Sequence, residues 1–272
     1  MKPPRIIAVD WSGAKTAAAK KIWRADVVAG RLDCLRNGVD APDLARQLID
    51  LAQHDPRMAV GFDFSFSMPA WFLQREGIAS APDLWSRVTQ GLGERWLAGQ
   101  PWPFWGRAGS RMPTGCELLR RADRALYRET GFLCKSVFQL VGAGSAGTGS
   151  LRGMPVLHAL RAAGFHIWPY DDPGWPAVLE IYPRVFTGPV RKSRESARVA
   201  LIEERYPDLA PEHRRAMASS DDAFDAAISA LEMWRHVESI ERLPRIDDPV
   251  LKLEGMVWHP GIGTVPAPVL AT

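Results

Sequence analysis

Two short apolar runs, each stopping at an aspartate, constrain this chain more than any other feature. In Arg5-Ile6-Ile7-Ala8-Val9-Asp10-Trp11-Ser12-Gly13 four apolar residues enter like a buried strand, an acid follows, and Ser12-Gly13 supplies the turn that ends it. Met58-Ala59-Val60-Gly61-Phe62-Asp63 repeats the pattern further along. In open α/β sheets ligands bind outside the carboxyl ends of the strands. Acids at two such exits therefore point to an α/β fold with a candidate site along one sheet edge. A lone Asp after a strand also caps turns, so the reading depends on what else in the chain can meet Asp10.

Between the two acids, residues 21–29 and 31–35 read as strands joined at Gly30, an antiparallel hairpin. Residues 43–52 place Leu44, Leu48 and Leu51 at helical spacing, with Pro42 suited to the helix start. The order strand, strand, strand, helix, strand then returns the chain beside its first strand, and a right-handed crossover sends Asp10 and Asp63 out of the same edge. Residues 70–135 read as a helical insertion, with candidate helices at 69–76, 82–97 and 115–127. Inside it, Gln100-Pro101-Trp102-Pro103-Phe104-Trp105-Gly106 is a packed loop or lid, because its prolines remove donors and fix φ. Trp85, Trp96, Trp102 and Trp105 serve core or lid packing on one reading and base stacking on the other.

Residues 135–141 read as a strand, and Gly142-Ala143-Gly144-Ser145-Ala146-Gly147 follows it in the form GxGxxG. That fingerprint opens directly into a helix in dinucleotide-binding folds, whereas here residues 148–153 intervene and Pro155 suits the start of a helix ending at Ala163. Three readings stand: a tight-turn loop, a phosphate contact through Gly144 and Ser145, and a cofactor fingerprint. Residues 165–168 and 177–182 are the last strands. Glu180 breaks the second, and it either has a buried partner or faces water on an edge strand. Residues 1–245 are expected to form one domain, and the Pro- and Gly-rich residues 246–272 an irregular tail.

Ser219-Ser220-Asp221-Asp222-Ala223-Phe224-Asp225-Ala226 is the other informative stretch. Ser219 and Asp222 have the spacing of a capping box, so a helix starts here with Asp222 and Asp225 on one face. Ala223, Ala226, Ala227 and Ala230 suit a helix lying close against a sheet. The alternative is a wet stripe continuing through Ser229 and Glu232. Upstream, Arg191, Lys192 and Arg194, with Arg198 one turn into a helix, either hold phosphates or are solvated surface charge.

Cys34, Cys116 and Cys134 lie far apart, so the spacing encodes neither a disulfide framework nor a zinc knuckle, and a reducing cytoplasm is the expected setting. No apolar stretch approaches the length of a membrane-spanning helix, and the N-terminal run is too short for a signal segment. A net charge of +3 permits a polyanionic partner without demanding one. Several carboxylates at one edge repel by roughly 4 kcal/mol per pair at about 4 Å and an effective dielectric near 20. Such a cluster needs protons or cations, and all-oxygen donors favour Mg²⁺ or Mn²⁺.

Taken in order, the motifs at Asp10, at Asp63, at Glu180-Ile181-Tyr182-Pro183 and at Asp222-Ala223-Phe224-Asp225 resemble domain-of-unknown-function family 429. Its members are regarded as nucleases of RNase H-like fold, akin to the RuvC-type resolvases. The resemblance implies a mixed sheet with its first three strands antiparallel, and two Mg²⁺ or Mn²⁺ ions with Asp10 between them. Asp63, Asp222 and Asp225 would complete the metal set, and Glu180 would assist. The activity so implied is hydrolysis of nucleic-acid phosphodiesters, with Ser12, Arg191, Lys192, Arg194, Gly144 and Ser145 as candidate substrate contacts. Two alternatives are carried forward. One is a non-enzymatic module of the same fold that binds nucleic acid or protein through residues 191–198 and the Trp-rich insertion. The other is a nucleotide-binding enzyme using the glycines at 142–147.

Overall fold

A computed structural model describes residues 4–107, 109–142 and 145–262. The first apolar run forms β1 (Arg5–Asp10), and after the short α1 (Ala18–Lys21) the chain makes the hairpin β2 (Trp23–Val28) and β3 (Arg31–Arg36). Ala29 and Gly30 both take positive φ, 49° and 80°, which lets a two-residue turn follow the twist of its strands. Helix α2 (Ala41–His54) starts where Asp40 accepts the N–H of Asp43, with Pro42 in its first turn, and it leads into β4 (Met58–Phe62). The insertion supplies α3 (Ala70–Arg75), α4 (Ala81–Thr89), α5 (Leu92–Gly99) and α6 (Arg121–Thr130). There follow α7 (Gly147–Ala162), β5 (His166–Ile167), β6 (Ala177–Glu180), α8 (Pro183–Thr187), α9 (Glu195–Arg205), α10 (Pro211–Ser219), α11 (Asp221–Arg235), α12 (Val237–Glu241) and α13 (Pro249–Glu254).

The strands form a mixed sheet of order β3-β2-β1-β4-β6-β5. β1, β2 and β3 pair antiparallel, while β4 lies parallel to β1 with Val9 opposite Phe62. β6 is parallel to both β4 and β5, with Phe62 opposite Glu180. Central strands are buried on both faces, which is why β1 and β4 read as continuous apolar runs. Alternation sends Ile7, Val9, Val60, Phe62 and Val178 to one core with Leu44, Leu48, Met154 and Leu157 of α2 and α7. Ile6, Ala8, Ala59 and Leu179 go to the other, beneath Phe224, Ile228 and Leu231 of α11. A Cβ on Gly61 would stand 2.7 Å from the Met233 sulfur, so glycine there lets α11 settle onto the sheet. Among the described residues no helix is long and apolar enough to cross a membrane.

Four expectations are corrected. Residues 135–141 are not a strand of the sheet: only Gln139 makes a bridge, to Trp105, because Val137, Phe138 and Leu140 are buried against the aromatic cluster of the insertion. Helix α7 begins at Gly147 and runs through Pro155, since burial of Leu151, Met154, Val156, Leu157 and Leu160 outweighs the missing proline donor. The cap of α11 is Ser220, whose hydroxyl accepts the N–H of Ala223, while Ser219 bonds back to Ala216. Finally, within the expected irregular tail the described residues 246–262 hold α13, and Trp258 is fully buried with its backbone N–H on the Glu180 carbonyl. Residues 263–272 lie outside the described residues. Of the four clustered tryptophans, Trp85 and Trp96 are core, Trp105 is half-buried, and Trp102 is exposed, its ring tilted against Trp71 beneath Arg75.

Candidate functional site

Asp10 ends β1 on the face of Ile6 and Ala8, the face that α11 covers. Only 8% of its surface is exposed. Asp63, just past β4, accepts the Trp11 N–H at 2.7 Å, so the exit of one strand orients the acid at the exit of its neighbour. Asp225, one turn into α11, is 3% exposed, and its Oδ2 takes the Lys192 ammonium. Its Oδ1 is buried with no hydrogen-bond partner. Asp222 is half-buried in the first turn of the same helix.

These acids act on one another. Burial and then the charges of Asp63, Asp225 and Asp222 push the Asp10 carboxyl well above the usual range. Asp63 rises to about 8, chiefly through burial and then Asp225, against the Trp11 N–H and Lys192. Asp225 rises to about 6, with burial outweighing Lys192. Asp222 is raised by burial and by Asp221. Burial pulls the Lys192 ammonium down, but Asp225, with Asp10 and Asp63 behind it, leaves it above its ordinary value. Lys192, a candidate phosphate contact or solvated surface charge on the sequence, is instead paired with Asp225.

The structure thus sets Asp63, Asp222 and Asp225 near enough for their charges to act on Asp10, and leaves Glu180 elsewhere. Glu180 follows Val178 onto the opposite face of the sheet, where it is 3% exposed and accepts the Phe66 N–H at 2.9 Å. Its partner is Arg120, fully buried, which reaches Glu180 Oε2 at 2.8 Å, Asp123 Oδ1 at 2.7 Å and the Glu254 carbonyl at 3.1 Å. β6 is not an edge strand, so the buried-partner reading of Glu180 is the one realised. Sequence reasoning missed Arg120. The one signal was the acid inside an apolar strand, which demands a counter-charge without saying where it comes from.

Arg191 and Arg194 are exposed at the start of α9. Arg198 is not part of a phosphate-binding surface: it is buried and donates to the carbonyls of Met217 and Ala218 at 3.2 and 3.0 Å, closing the end of α10. Ser12 and Ser145 line a cavity beside Trp11, and Gly144 lies outside the described residues. The glycine stretch does lead straight into α7, but no sheet strand precedes it, so the strand-loop-helix context of a dinucleotide fingerprint is absent among the described residues.

The donors at the Asp10 edge suit a hard divalent cation in kind, being carboxylate oxygens only. In placement they are not drawn into a ligand set. Among the described residues no group of three or more His, Cys, Asp or Glu side chains is gathered so as to hold a metal ion, and an ammonium sits on Asp225. No protein-family model, curated protein or solved structure matches the chain.

Proposed function

We propose that this chain is a divalent-metal-dependent phosphodiesterase of RNase H-like fold that hydrolyses nucleic acid. The observation that carries the reading is the buried, unpartnered Asp225 Oδ1 within a group of mutually repelling acids. An unpaired carboxylate oxygen in the interior is costly unless a cation completes it. Mg²⁺ or Mn²⁺ bound there would neutralise the acids and supply Lewis-acid stabilisation of the phosphodiester and its leaving oxygen. Asp10, at the centre of the sheet edge, feels the charge of all three other acids. Asp63 is pre-set by the Trp11 N–H, and α11 carries Asp222 and Asp225 on one face. Lys192 is the chain's own counter-ion for this group, and its withdrawal from Asp225 frees the second oxygen of that carboxylate.

Titration calorimetry with Mn²⁺ tests the reading: wild type binds, and Asp10→Asn and Asp225→Asn each weaken binding by about tenfold or more, as loss of a ligand does. Asp10→Asn is also expected to abolish cleavage while leaving the protein at least as stable, because it relieves repulsion. Equal cleavage by variant and wild type would sink the assignment. A second reading has an observation of its own. The Lys192 ion pair already neutralises Asp225 without any metal, as expected of a non-enzymatic member of the same fold. That reading predicts no Mn²⁺ heat and salt-sensitive nucleic-acid binding that survives a chelator.

A further inference from the structure

The exit loop of β1 does more than carry Asp10. Trp11 sends its ring N–H to the Gly149 carbonyl at 3.0 Å, and a Cβ on Gly13 would lie 2.7 Å from the backbone of Thr148 and Gly149. The loop is therefore pressed against the first turn of α7. Beside it is a cavity of about 540 Å³, within the range of small-ligand sites. Lys21, Arg107 and Arg152 line it together with Ser12, Ser145 and Thr148, whose hydroxyl donates to the Leu140 carbonyl at 2.7 Å, and no carboxylate is among its described lining residues. Arg152 is paired with Glu94, outside the cavity. Arg107 is steadied by the Ala98 carbonyl at 3.0 Å, at the end of α5. Neither Lys21 nor Arg107 has a carboxylate partner among the described residues.

We propose that this cavity seats a phosphate of the nucleic-acid strand next to the one held at the acidic edge. Lys21 and Arg107, which have no carboxylate partner among the described residues, and the hydroxyls of Ser12 and Ser145 suit an anion with several oxygens. The cavity adjoins the acids through Trp11, whose backbone N–H is on Asp63, and the charge of Lys21 reaches Asp222. An isolated anion gains nothing from lying beside carboxylates. A polyanion does, because its neighbouring phosphate can meet the cation those carboxylates bind. The assignment of the strand as nucleic acid rests on the phosphodiesterase reading, whereas the anion seat rests on different residues.

The test is fluorescence anisotropy of a short labelled oligothymidylate in EDTA, with wild type, Lys21→Ala, the Lys21→Ala/Arg107→Ala pair and Asp10→Asn. The paired variant is expected to bind about tenfold more weakly, and its slope of log K against log salt should be shallower by about 0.7 for each phosphate left without its cation. Lys21→Ala, at an exposed residue, should show a smaller change in the same direction, which distinguishes a missing charge from a failed fold. Asp10→Asn should bind as well as wild type or better. Wild-type affinity and slope in the paired variant, or no binding by wild type, would overturn the seat. Mn²⁺ calorimetry on the same proteins keeps the two readings apart. Oligonucleotide binding through Lys21 and Arg107 without Mn²⁺ binding keeps the seat and rejects the phosphodiesterase. Mn²⁺ binding with an unaltered oligonucleotide slope in the paired variant does the reverse.

Discussion

In the absence of a cation, burial and then Asp225 raise the Asp63 pKa to about 8, which favours its protonated form. An acid whose folded pKa lies above its unfolded value keeps a proton that the unfolded chain gives up, so stability falls as pH rises through that interval. For Asp63 the interval runs from the unfolded value near 4 to about 8, and for Asp225 to about 6. Asp10 and Asp222 shift in the same direction, and Lys192 is the cation that opposes them. The metal-free protein is therefore expected to lose urea stability between about pH 5 and pH 8, and Mn²⁺ to restore more of it at pH 8 than at pH 6, because deprotonated carboxylates bind metal. Asp10→Asn should flatten the slope. A profile already flat in the wild type would mean that these acids do not share one edge.

The sheet decides which acids meet, and it separates Asp63 from Glu180 although their strands are neighbours. Glu180 belongs to a charge network that fastens α6 to the sheet, so Glu180→Gln is expected to cost roughly 1–3 kcal/mol of stability. Arg120→Met should cost more, roughly 3–5 kcal/mol, because it strands two buried carboxylates. Neither should change Mn²⁺ affinity in the folded protein. Urea unfolding beside calorimetry checks both, and loss of metal binding in a folded Glu180→Gln would return that residue to the site. The strand-exit acids were legible because a buried strand must be apolar, so an acid marks its end. The hairpin at Gly30 and the helix α2 were legible for equally local reasons, a glycine at the turn and Pro42 ahead of leucines at helical spacing. What the pattern hid depends on tertiary burial. α7 runs through a proline because both its sides are covered, and the apolar residues 135–141 serve an aromatic cluster rather than the sheet. The Arg120 partner of Glu180 arrives from a distant helix whose place no periodicity records. Lys192 was visible as a cation, but not which anion it answers.

At the scale of the molecule, the end of the described chain is structural. Glu254 in α13 accepts the N–H of Ala70 at 2.7 Å and the N–H of Arg121, capping α3 and α6 together, and Trp258 fills the core beside Phe186. Removing residues 246–272 is expected to cost about 4 kcal/mol or more, since it deletes a buried tryptophan and uncovers a charge network. A thermal melt of the truncated protein checks this, and an unchanged midpoint would refute it. The acids and the cations also keep separate places: Asp10, Asp222 and Asp225 lie under α11, and Lys21, Arg107 and Arg152, the last paired with Glu94, line the cavity at the N-terminal end of α7. Trp11 is the strut between them, its backbone on Asp63 and its ring on Gly149. Were both places occupied as proposed, any factor by which one ligand changes the affinity of the other would be the same in both directions. On the proposed assignments a metal ion and a polyanion would be linked ligands, with Trp11 as the residue common to both places.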